Sequence, residues 1–283
     1  MDITKKAILF DGTAVVNVLD TTEMVQQAID FHKTSDIASE ALGKVLTMGA
    51  FISGNFKGKN NKLTIIVQGG GPLGKIVVCG DYGAKMRGYV ENPFVEGKTV
   101  KEVIGSQGYL NIIKDFNMKE PYNGLSQLVN GNIGEDFAYY FTTSEQLPTA
   151  LAINTKVKNG KCIKSGGIII QAMPNCQEEV LVILEDIVRD FEDVCSQLEE
   201  KGPEGIISYY FGHFNMKYID DSFPEYRCSC STQKIDEMLI SLGEKEALNI
   251  LKEEGKIEVN CQFCDKKYVY KIEDIDRVFH GNC

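Results

Sequence analysis

The sequence lacks the features that mark membrane, secreted or nucleic-acid-binding proteins. Among 283 residues there is no apolar run near the ~20 residues that a membrane-spanning helix needs. The start, Met1 to Lys6, leads into no long apolar stretch and no small-residue cleavage site, so a secretory signal is not expected. Positive charge is also scarce, since 30 basic residues face 40 acidic ones. Because Lys and Arg supply most of the affinity for a phosphate backbone, we expect a cytoplasmic protein with neither a nucleic-acid nor a membrane partner.

Catalytic machinery is equally scarce. The chain has three histidines, and no Ser-His-Asp or paired-carboxylate arrangement can be picked out. The segment Gly69 to Lys75 imitates a phosphate-binding loop, but Ile76 stands where Ser or Thr should reach magnesium. The residues after Lys75 are typical of a strand, whereas such a loop should open a helix. We therefore predict a glycine turn between two strands, and a protein that is not an enzyme.

Cysteine, by contrast, is abundant, with nine in the chain. Four of them form two tight pairs, Cys228 with Cys230 and Cys261 with Cys264. In a reducing compartment, clustered cysteines are more often metal ligands or redox groups than structural disulfides. Four thiolates suit tetrahedral zinc, and a closed site of this kind leaves no position for a catalytic water. The sequence predicts one zinc per chain on these four cysteines.

The remaining cysteines and the terminal histidine are not expected to bind zinc. His280 and Cys283 stand near the C-terminal end and could be rival ligands, but such a histidine is more often structural or solvated. No role is predicted for the other five cysteines: Cys79, Cys162, Cys176, Cys195 and Cys283.

Charge and glycine are unevenly spread and divide the chain into three regions. Residues 1–175 hold 21 of the 27 glycines and are close to neutral, with 18 basic and 16 acidic residues. Residues 176–227 carry 13 acidic against 4 basic residues, and residues 228–283 carry 11 against 8. We predict an α+β fold with an N-terminal mixed α/β core domain (1–175), an acidic helical linker (176–227) and a small C-terminal zinc-binding domain (228–283).

Local patterns predict several elements of the core domain. Helices are expected from about Asp20 and from about Ser35, where apolar residues recur at helical spacing. A further helical pattern covers 134–146. Short β-rich runs, bounded by glycine turns, predict strands at Leu63–Val67, Lys75–Cys79, Tyr109–Ile113 and 166–170.

The linker has the clearest amphipathic pattern in the chain. Six large apolar residues follow one another at intervals of four and three, which predicts one apolar seam on a long helix that ends at Gly202-Pro203. Two interpretations stay open: an ordinary packed helix, or a segment that detaches and offers its seam to clients. In the resting protein we expect the seam to be buried against the first domain. The seam comprises Val180, Leu184, Ile187, Phe191, Val194 and Leu198.

The third region has 56 residues, which build only a marginal core, so a structural metal would stabilise it. Helices are predicted at Thr232–Leu242 and Glu244–Glu254, each followed by glycine. Strands are predicted at Ile257–Val259 and Tyr268–Tyr270.

The paired cysteines, the preceding acidic helix and the glycine-rich first region together resemble the redox-regulated heat shock protein 33 family, the bacterial 33 kDa chaperonins. The resemblance spans essentially the whole chain, and the cysteine spacing is its most specific part. Supporting stretches are Met86-Arg-Gly-Tyr-Val90, Tyr140-Phe-Thr-Thr-Ser-Glu-Gln146, Gly166-Gly-Ile-Ile-Ile-Gln171 and Arg227-Cys-Ser-Cys-Ser231.

The resemblance implies an ATP-independent holdase that is inactive when reduced and zinc-bound and active when oxidised. It carries the zinc ligands onto the four paired cysteines, and it implies disulfides between sequence neighbours, Cys228–Cys230 and Cys261–Cys264. It also implies unfolded proteins as partners, and a monomer that becomes a homodimer on activation.

Two other functions compete with this one. A zinc-ribbon nucleic-acid-binding regulatory protein would need a basic face, and neither the linker nor the zinc region is basic. A thiol–disulfide oxidoreductase would need one exposed Cys-x-x-Cys at a helix start, whereas a second cysteine pair favours metal capture. Zinc content before and after peroxide separates a structural ribbon, which keeps its zinc, from a switch, which loses it.

Overall fold

The structure, a computed structural model, describes residues 1–174, 176–189, 191 and 193–281. Contacts between Cα atoms divide the chain into two compact units, Met1–Arg227 and Cys228–Cys283, and each is described by itself. The second unit begins where the predicted zinc domain begins, and the described linker residues belong to the first unit. No helix in the described part of the chain is long and apolar enough to cross a membrane.

The first unit contains both helices and strands, as the sequence predicts. Its helices are α1 (Thr22–His32), α2 (Asp36–Gly54), α3 (Val100–Ile104), α4 (Ile133–Ser144), α5 (Glu178–Arg189) and α6 (Val194–Phe211). Its strands are β1 (Ile3–Leu9), β2 (Ala14–Asp20), β3 (Lys62–Gln68), β4 (Lys75–Asp81), β5 (Lys85–Val90), β6 (Tyr109–Asp115), β7 (Tyr122–Gln127), β8 (Thr149–Lys158), β9 (Lys161–Ala172), β10 (Lys217–Tyr218) and β11 (Glu225–Tyr226).

Two sheets organise the first unit. One has the strand order β10-β1-β2-β9-β8, and the other has the order β11-β5-β4-β3-β6-β7. All neighbours are antiparallel except the short pair of β11 with β5. Burial alternates from residue to residue along β3 and β4, because only one face of their sheet packs on the core.

Helix α2 forms the centre of the main core. It begins at the cap Ser35, whose side chain accepts a hydrogen bond from the Ala38 amide. Most of its residues are buried, as expected for a helix that is apolar nearly all round. A Cβ on Gly43 would come within 2.7 Å of Thr155 on β8, and a Cβ on Gly49 would collide with Met86 on β5. Glycine at these two positions therefore lets both sheets approach the helix closely.

The opposite face of the five-stranded sheet is covered by α5 and α6. Buried side chains from β1, β2, β9 and the two helices form a second hydrophobic cluster. The prediction of one long linker helix is wrong, because α5 ends at Arg189 and α6 begins only at Val194. The apolar residues keep helical spacing in the sequence across this break. Phe191 lies outside both helices, yet its side chain packs into the same cluster.

The sequence predicts that the linker helix ends at Gly202-Pro203, and the backbone does leave the helical conformation there. Gly202 has φ of 64° and ψ of 172°, so a first helical stretch of α6 ends at this residue. A second stretch begins at Pro203 and continues to Phe211. Proline suits the first position of this second stretch, because that position needs no amide donor and its fixed φ is already helical.

The second unit holds three helices around a hairpin. The helices are α7 (Thr232–Leu242), α8 (Glu244–Glu254) and α9 (Ile272–His280), and the antiparallel strands are β12 (Ile257–Asn260) and β13 (Lys267–Tyr270). The predictions for α7, α8, β12 and β13 are confirmed within a residue at each end. Gly243 and Gly255 have φ of 94° and 74°, and this explains why glycine follows each of the first two helices.

The segment that imitates a phosphate-binding loop is a turn between β3 and β4, as predicted. Its amides are already engaged, since Gly71 N donates to Ile104 O and Leu73 N donates to Val103 O. A phosphate therefore finds no cradle of unpaired amides at these two positions.

Candidate metal centre

The four paired cysteines lie on two loops of the second unit. Cys228 and Cys230 precede α7, whose first turn is capped by the side chain of Ser231. Cys261 and Cys264 occupy the tight connection between β12 and β13. That connection is closed by hydrogen bonds from Cys261 N to Lys266 O and from Asp265 N to Cys261 O, at 3.0 and 2.9 Å.

The structure brings all four sulfur atoms together. In the described part of the chain, these four sulfur atoms lie within 4.8 Å of one another and could hold a metal ion. The shortest contacts cross between the two pairs: Cys228 Sγ lies 3.5 Å from Cys261 Sγ, and Cys230 Sγ lies 3.5 Å from Cys264 Sγ. All four are free thiols, half-buried, so they are accessible to ions and small oxidants.

This geometry fits the metal that the sequence predicts. A tetrahedral zinc with Zn–S bonds of about 2.3 Å separates its sulfur ligands by about 3.8 Å. The observed separations bracket that value, and the donor set consists of thiols only, which zinc accepts and hard cations such as magnesium do not. The four residues that would hold zinc are Cys228, Cys230, Cys261 and Cys264.

A tyrosine that was not singled out as a site residue supports one of these sulfurs. The Tyr268 hydroxyl on β13 donates a hydrogen bond to Cys230 Sγ at 3.1 Å. Burial opposes the thiolate of Cys230, but hydrogen bonds from Tyr268 and the neighbouring cysteines outweigh it and lower its pKa to about 7. For Cys228, burial raises the pKa of the thiol. The cluster therefore contains inequivalent sulfurs.

The scaffold under the site is held by one carboxylate. Asp236 on α7 accepts hydrogen bonds from the Tyr270 hydroxyl at 2.8 Å and from the Arg277 guanidinium at 2.9 Å. The guanidinium lowers the pKa of Asp236. This contact joins α7, β13 and α9 around a cluster of buried residues, and so fixes the loops that carry the cysteines.

The rival ligands do not join the group. His280 Nε2 lies 3.4 Å from Glu244 and is absent from the four-sulfur cluster of the described residues. Cys283 lies outside the described residues. Cys162 and Cys195 are buried in the first unit, and burial raises the pKa of each thiol to about 12. Such thiols are poor nucleophiles while they stay buried.

The apolar seam of the linker is packed in this state of the protein. Leu184, Phe191, Val194 and Leu198 are at most 5% exposed, and Val180 and Ile187 are partly buried against the same cluster. The expected burial of the seam is thus observed, against strands of the first domain. That the seam binds clients stays a prediction.

One glycine shows how closely the seam fits. A Cβ on Gly166 of β9 would come within 2.1 Å of the Leu19 carbonyl oxygen on β2 and within 2.4 Å of the Leu198 side chain, so glycine here lets both the neighbouring strand and the helix approach. On α5, by contrast, Val182 and Ile183 point away from the cluster and are 54% and 40% exposed.

Comparison with known proteins identifies the relatives of this chain. The family model described as Hsp33 protein matches residues 2–271. The 33 kDa chaperonin of Bacillus cytotoxicus is 38% identical over 286 residues, which cover 98% of both chains. The 33 kDa chaperonin of Clostridioides difficile is 36% identical over 97% of both chains.

A solved structure agrees with these sequence relationships. The crystal structure of the 33 kDa chaperonin from Thermotoga maritima superposes with a TM-score of 0.90 at 28% identity, covering 98% of this chain and 97% of the other. The relatives are named as chaperonins and not as enzymes, in agreement with the prediction from the sequence. The whole-length matches in sequence and in fold lead to one conclusion: this chain belongs to the Hsp33 family.

Proposed function

We propose that this protein is a redox-regulated, ATP-independent chaperone of the cytoplasm, which holds unfolding proteins under oxidative stress. The observation that carries the proposal is the group of four cysteine sulfurs within 4.8 Å, in a member of a family whose named relatives are chaperonins. Zinc, when bound there, keeps the sulfurs as thiolates and cross-links the two loops.

Oxidation acts on these same sulfurs. A thiolate is the form that peroxide attacks, giving a sulfenic acid that condenses with a second thiol. For each disulfide, two thiolates lose two electrons, and one peroxide is reduced to water with uptake of two protons. We propose the pairs Cys228–Cys230 and Cys261–Cys264, which leave no sulfur as a thiolate ligand.

Which cysteines form disulfides decides whether the two loops of the second unit stay cross-linked. All four sulfurs lie close enough together that cross pairs, Cys228–Cys261 and Cys230–Cys264, compete with neighbour pairs. Cross pairs would join the two loops covalently and replace the metal as a cross-link. Neighbour pairs close rings of only a few residues and leave the loops unconnected, so the second unit loses its cross-link.

The linker connects this loss to client binding. Loss of the metal cross-link unfolds residues 228–283, and the linker seam then leaves its place on the first domain. A large exposed apolar surface binds unfolded chains without sequence specificity. The seam residues Val180, Leu184, Ile187, Phe191, Val194 and Leu198 supply this surface, and the activated form is a homodimer.

One experiment tests the whole proposal. Reduced, zinc-loaded protein and peroxide-treated protein are compared for zinc content and for suppression of light scattering by a chemically unfolded client, without ATP. We expect zinc loss and suppression only after peroxide. Equal suppression by both forms contradicts the switch, and full zinc retention after peroxide favours a structural zinc ribbon. Peptide mapping of the oxidised form distinguishes neighbour pairs from cross pairs.

A further inference from the structure

The first unit contains a large cavity, and none of the residues that line it is a cysteine. Its volume is about 770 Å³, within the range of about 300–1,000 Å³ that small-molecule sites occupy. Its walls are the N-terminal half of β1, the end of α2 with the following loop, and the segment 219–226. That segment ends two residues before Cys228.

Three lysines line this cavity without a carboxylate partner. Lys6 Nζ donates to the neutral amide oxygen of Asn55 at 2.7 Å, and among the described residues neither Lys6, Lys57 nor Lys85 forms an ion pair. Burial, and then the like charge of Lys57, lower the pKa of Lys6. The cavity therefore holds positive charge that an anion would neutralise.

The carboxylates of the cavity offset this charge only in part, because Glu23, Asp221 and Glu225 are paired with other cations, which leaves Asp2 and Asp220 against three lysines. Asp2 accepts from the amides of Glu23 and Met24 at the start of α1, and Asp221 pairs with Lys5 at 2.7 Å. Glu23 binds the N-terminal ammonium, Glu225 lies 3.4 Å from Arg227, and Asp220 forms no ion pair in the described part of the chain.

Aromatic side chains indicate the kind of anion. The rings of Phe56, Tyr82 and Phe223 line the cavity and offer surfaces for a flat apolar group.

We propose that this cavity binds a small aromatic phosphate of about nucleotide size, with its phosphate at Lys6 and Lys57. Both residues belong to walls that meet at the hydrogen bond from Lys6 to Asn55. The aromatic part of the ligand lies among Phe56, Tyr82 and Phe223. Phosphate suits paired ammonium groups, and ring surfaces accept a base by stacking.

Such a ligand would act on the segment that leads to the metal centre. Ser222 exchanges two backbone hydrogen bonds with Thr4, at 2.8 and 3.2 Å, so the segment is docked on β1. A ligand that binds only when the segment 219–226 is docked on β1 stabilises that docked conformation by mass action. We therefore expect peroxide to activate the protein more slowly when the cavity is filled, an expectation that rests on the proposed function.

The binding test uses full-length, reduced, zinc-loaded protein and isothermal titration with AMP, inorganic phosphate and adenosine. We expect AMP to bind, and each of the other two to bind at least tenfold more weakly. The double variant Lys6→Gln/Lys57→Gln should lose at least tenfold in AMP affinity. Lys57→Gln alone, at an exposed position, serves if the double variant folds poorly. The control Lys75→Gln removes the lysine of the glycine turn and should bind AMP like the wild type.

The outcomes separate the parts of the proposal. No saturable AMP binding, or unchanged binding by the lysine variants, overturns the site, and loss of binding in Lys75→Gln assigns the nucleotide to the glycine turn instead. Phosphate binding as tight as AMP overturns the aromatic part. AMP should also slow hydrogen exchange of residues 219–226, and unchanged exchange overturns the coupling. A protein that binds AMP but never gains activity on oxidation contradicts the proposed function and leaves the site intact.

Discussion

The two units of the molecule differ in what can stabilise them. Residues 1–227 form two large hydrophobic clusters, centred on α2 and on the packing of α5 and α6 against a sheet. Residues 228–283 have a single cluster with seven buried members among the described residues: Leu239, Ala247, Leu251, Ile257, Tyr268, Tyr270 and Ile275. A chain of 56 residues with so small a core is marginal alone, so we expect a metal at the four-cysteine site to stabilise it.

The small core of residues 228–283 makes the second unit the part of the chain whose folding a bound metal can control. Structural zinc contributes about 10–16 kcal/mol to small zinc-binding peptides, as much as the entire stability of many domains. Removal of the metal should therefore unfold the second unit and leave the first folded. On the proposed function, oxidation would then unfold the second unit and leave the first unit folded.

The largest expected effect comes from a ligand substitution. Cys261→Ser should abolish stable zinc binding and unfold residues 228–283, because three thiolates cannot close the tetrahedral site. Metal analysis gives the stoichiometry, and hydrogen exchange shows which unit loses protection. Cys176→Ser, at a half-buried cysteine outside the cluster, is the matched control and should keep one zinc. A full complement of zinc in Cys261→Ser would contradict the assignment.

The next effect tests the linker on the first unit. Leu198 is buried against Gly166, and Leu→Ala in such a position costs about 2–5 kcal/mol. Leu198→Ala should raise hydrogen exchange in residues 194–211 while zinc stays bound. If the seam binds clients, the variant should also show partial chaperone activity before oxidation.

The control for this variant lies on the neighbouring helix. Val182→Ala removes an apolar side chain that is 54% exposed, so it should change neither exchange nor activity. Complete absence of activity in reduced Leu198→Ala, despite increased exchange, would place client binding elsewhere, for instance on the first domain. In the wild type, oxidation should lower the protection of residues 180–189 and 194–198.

A smaller effect is expected from the tyrosine beside the metal site. Tyr268→Phe removes the hydrogen bond to Cys230 and keeps the ring in the cluster. Loss of such a partner typically weakens metal affinity by about 10–100-fold. Competition with a chelator measures this change. Tyr270→Phe, which loses its bond to Asp236 but leaves the Asp236–Arg277 pair in place, is the control and should lose less zinc affinity than Tyr268→Phe. Equal losses in both variants would mean that Tyr268 acts only through packing.

The sequence predicts the second unit better than the linker, for a physical reason. Helices α7 and α8 end at glycines with positive φ, which are local signals. The break between α5 and α6 has no such signal, because apolar spacing reports which side chains are buried and not whether the backbone between them is helical. Phe191 keeps the spacing while it lies outside both helices.

Tertiary contacts account for what else the sequence did not reveal. The four cysteines could be found from spacing alone, but the hydrogen bond from Tyr268 to Cys230 depends on how β13 passes the first loop. Strand β1 was not predicted because it carries two consecutive lysines. Lys5 pairs with Asp221, and Lys6 lines a cavity. Both surroundings are formed by residues distant in sequence, so the local sequence pattern of β1 does not reveal them.

The smallest effect concerns the start of α6. Asp193 caps this helix through the Ser196 amide and accepts a hydrogen bond from Lys156 on β8. The Lys156 ammonium, followed by Ser196, lowers the pKa of Asp193. A lowered carboxyl pKa adds stability that is present above the unfolded value of about 3.9 and is lost as the pH falls through the folded value. Because both side chains are 41% exposed, solvent screens the pair, and Asp193→Asn should cost only about 0.5–1 kcal/mol at pH 7.

The pH dependence separates this contact from a general effect of the substitution. Between pH 7 and pH 3 the pH falls below the unfolded value and part of this contribution is lost, so the difference in unfolding free energy between wild type and Asp193→Asn should be smaller at pH 3 than at pH 7. Both proteins lose metal affinity in acid, and the comparison between them cancels that loss. Asp186→Asn on α5, whose partner Arg189 is one turn away and exposed, is the control and should have little effect at either pH. A difference of equal size at pH 7 and pH 3 would mean that the ion pair does not hold α6 on the first domain, and that the buried seam alone does.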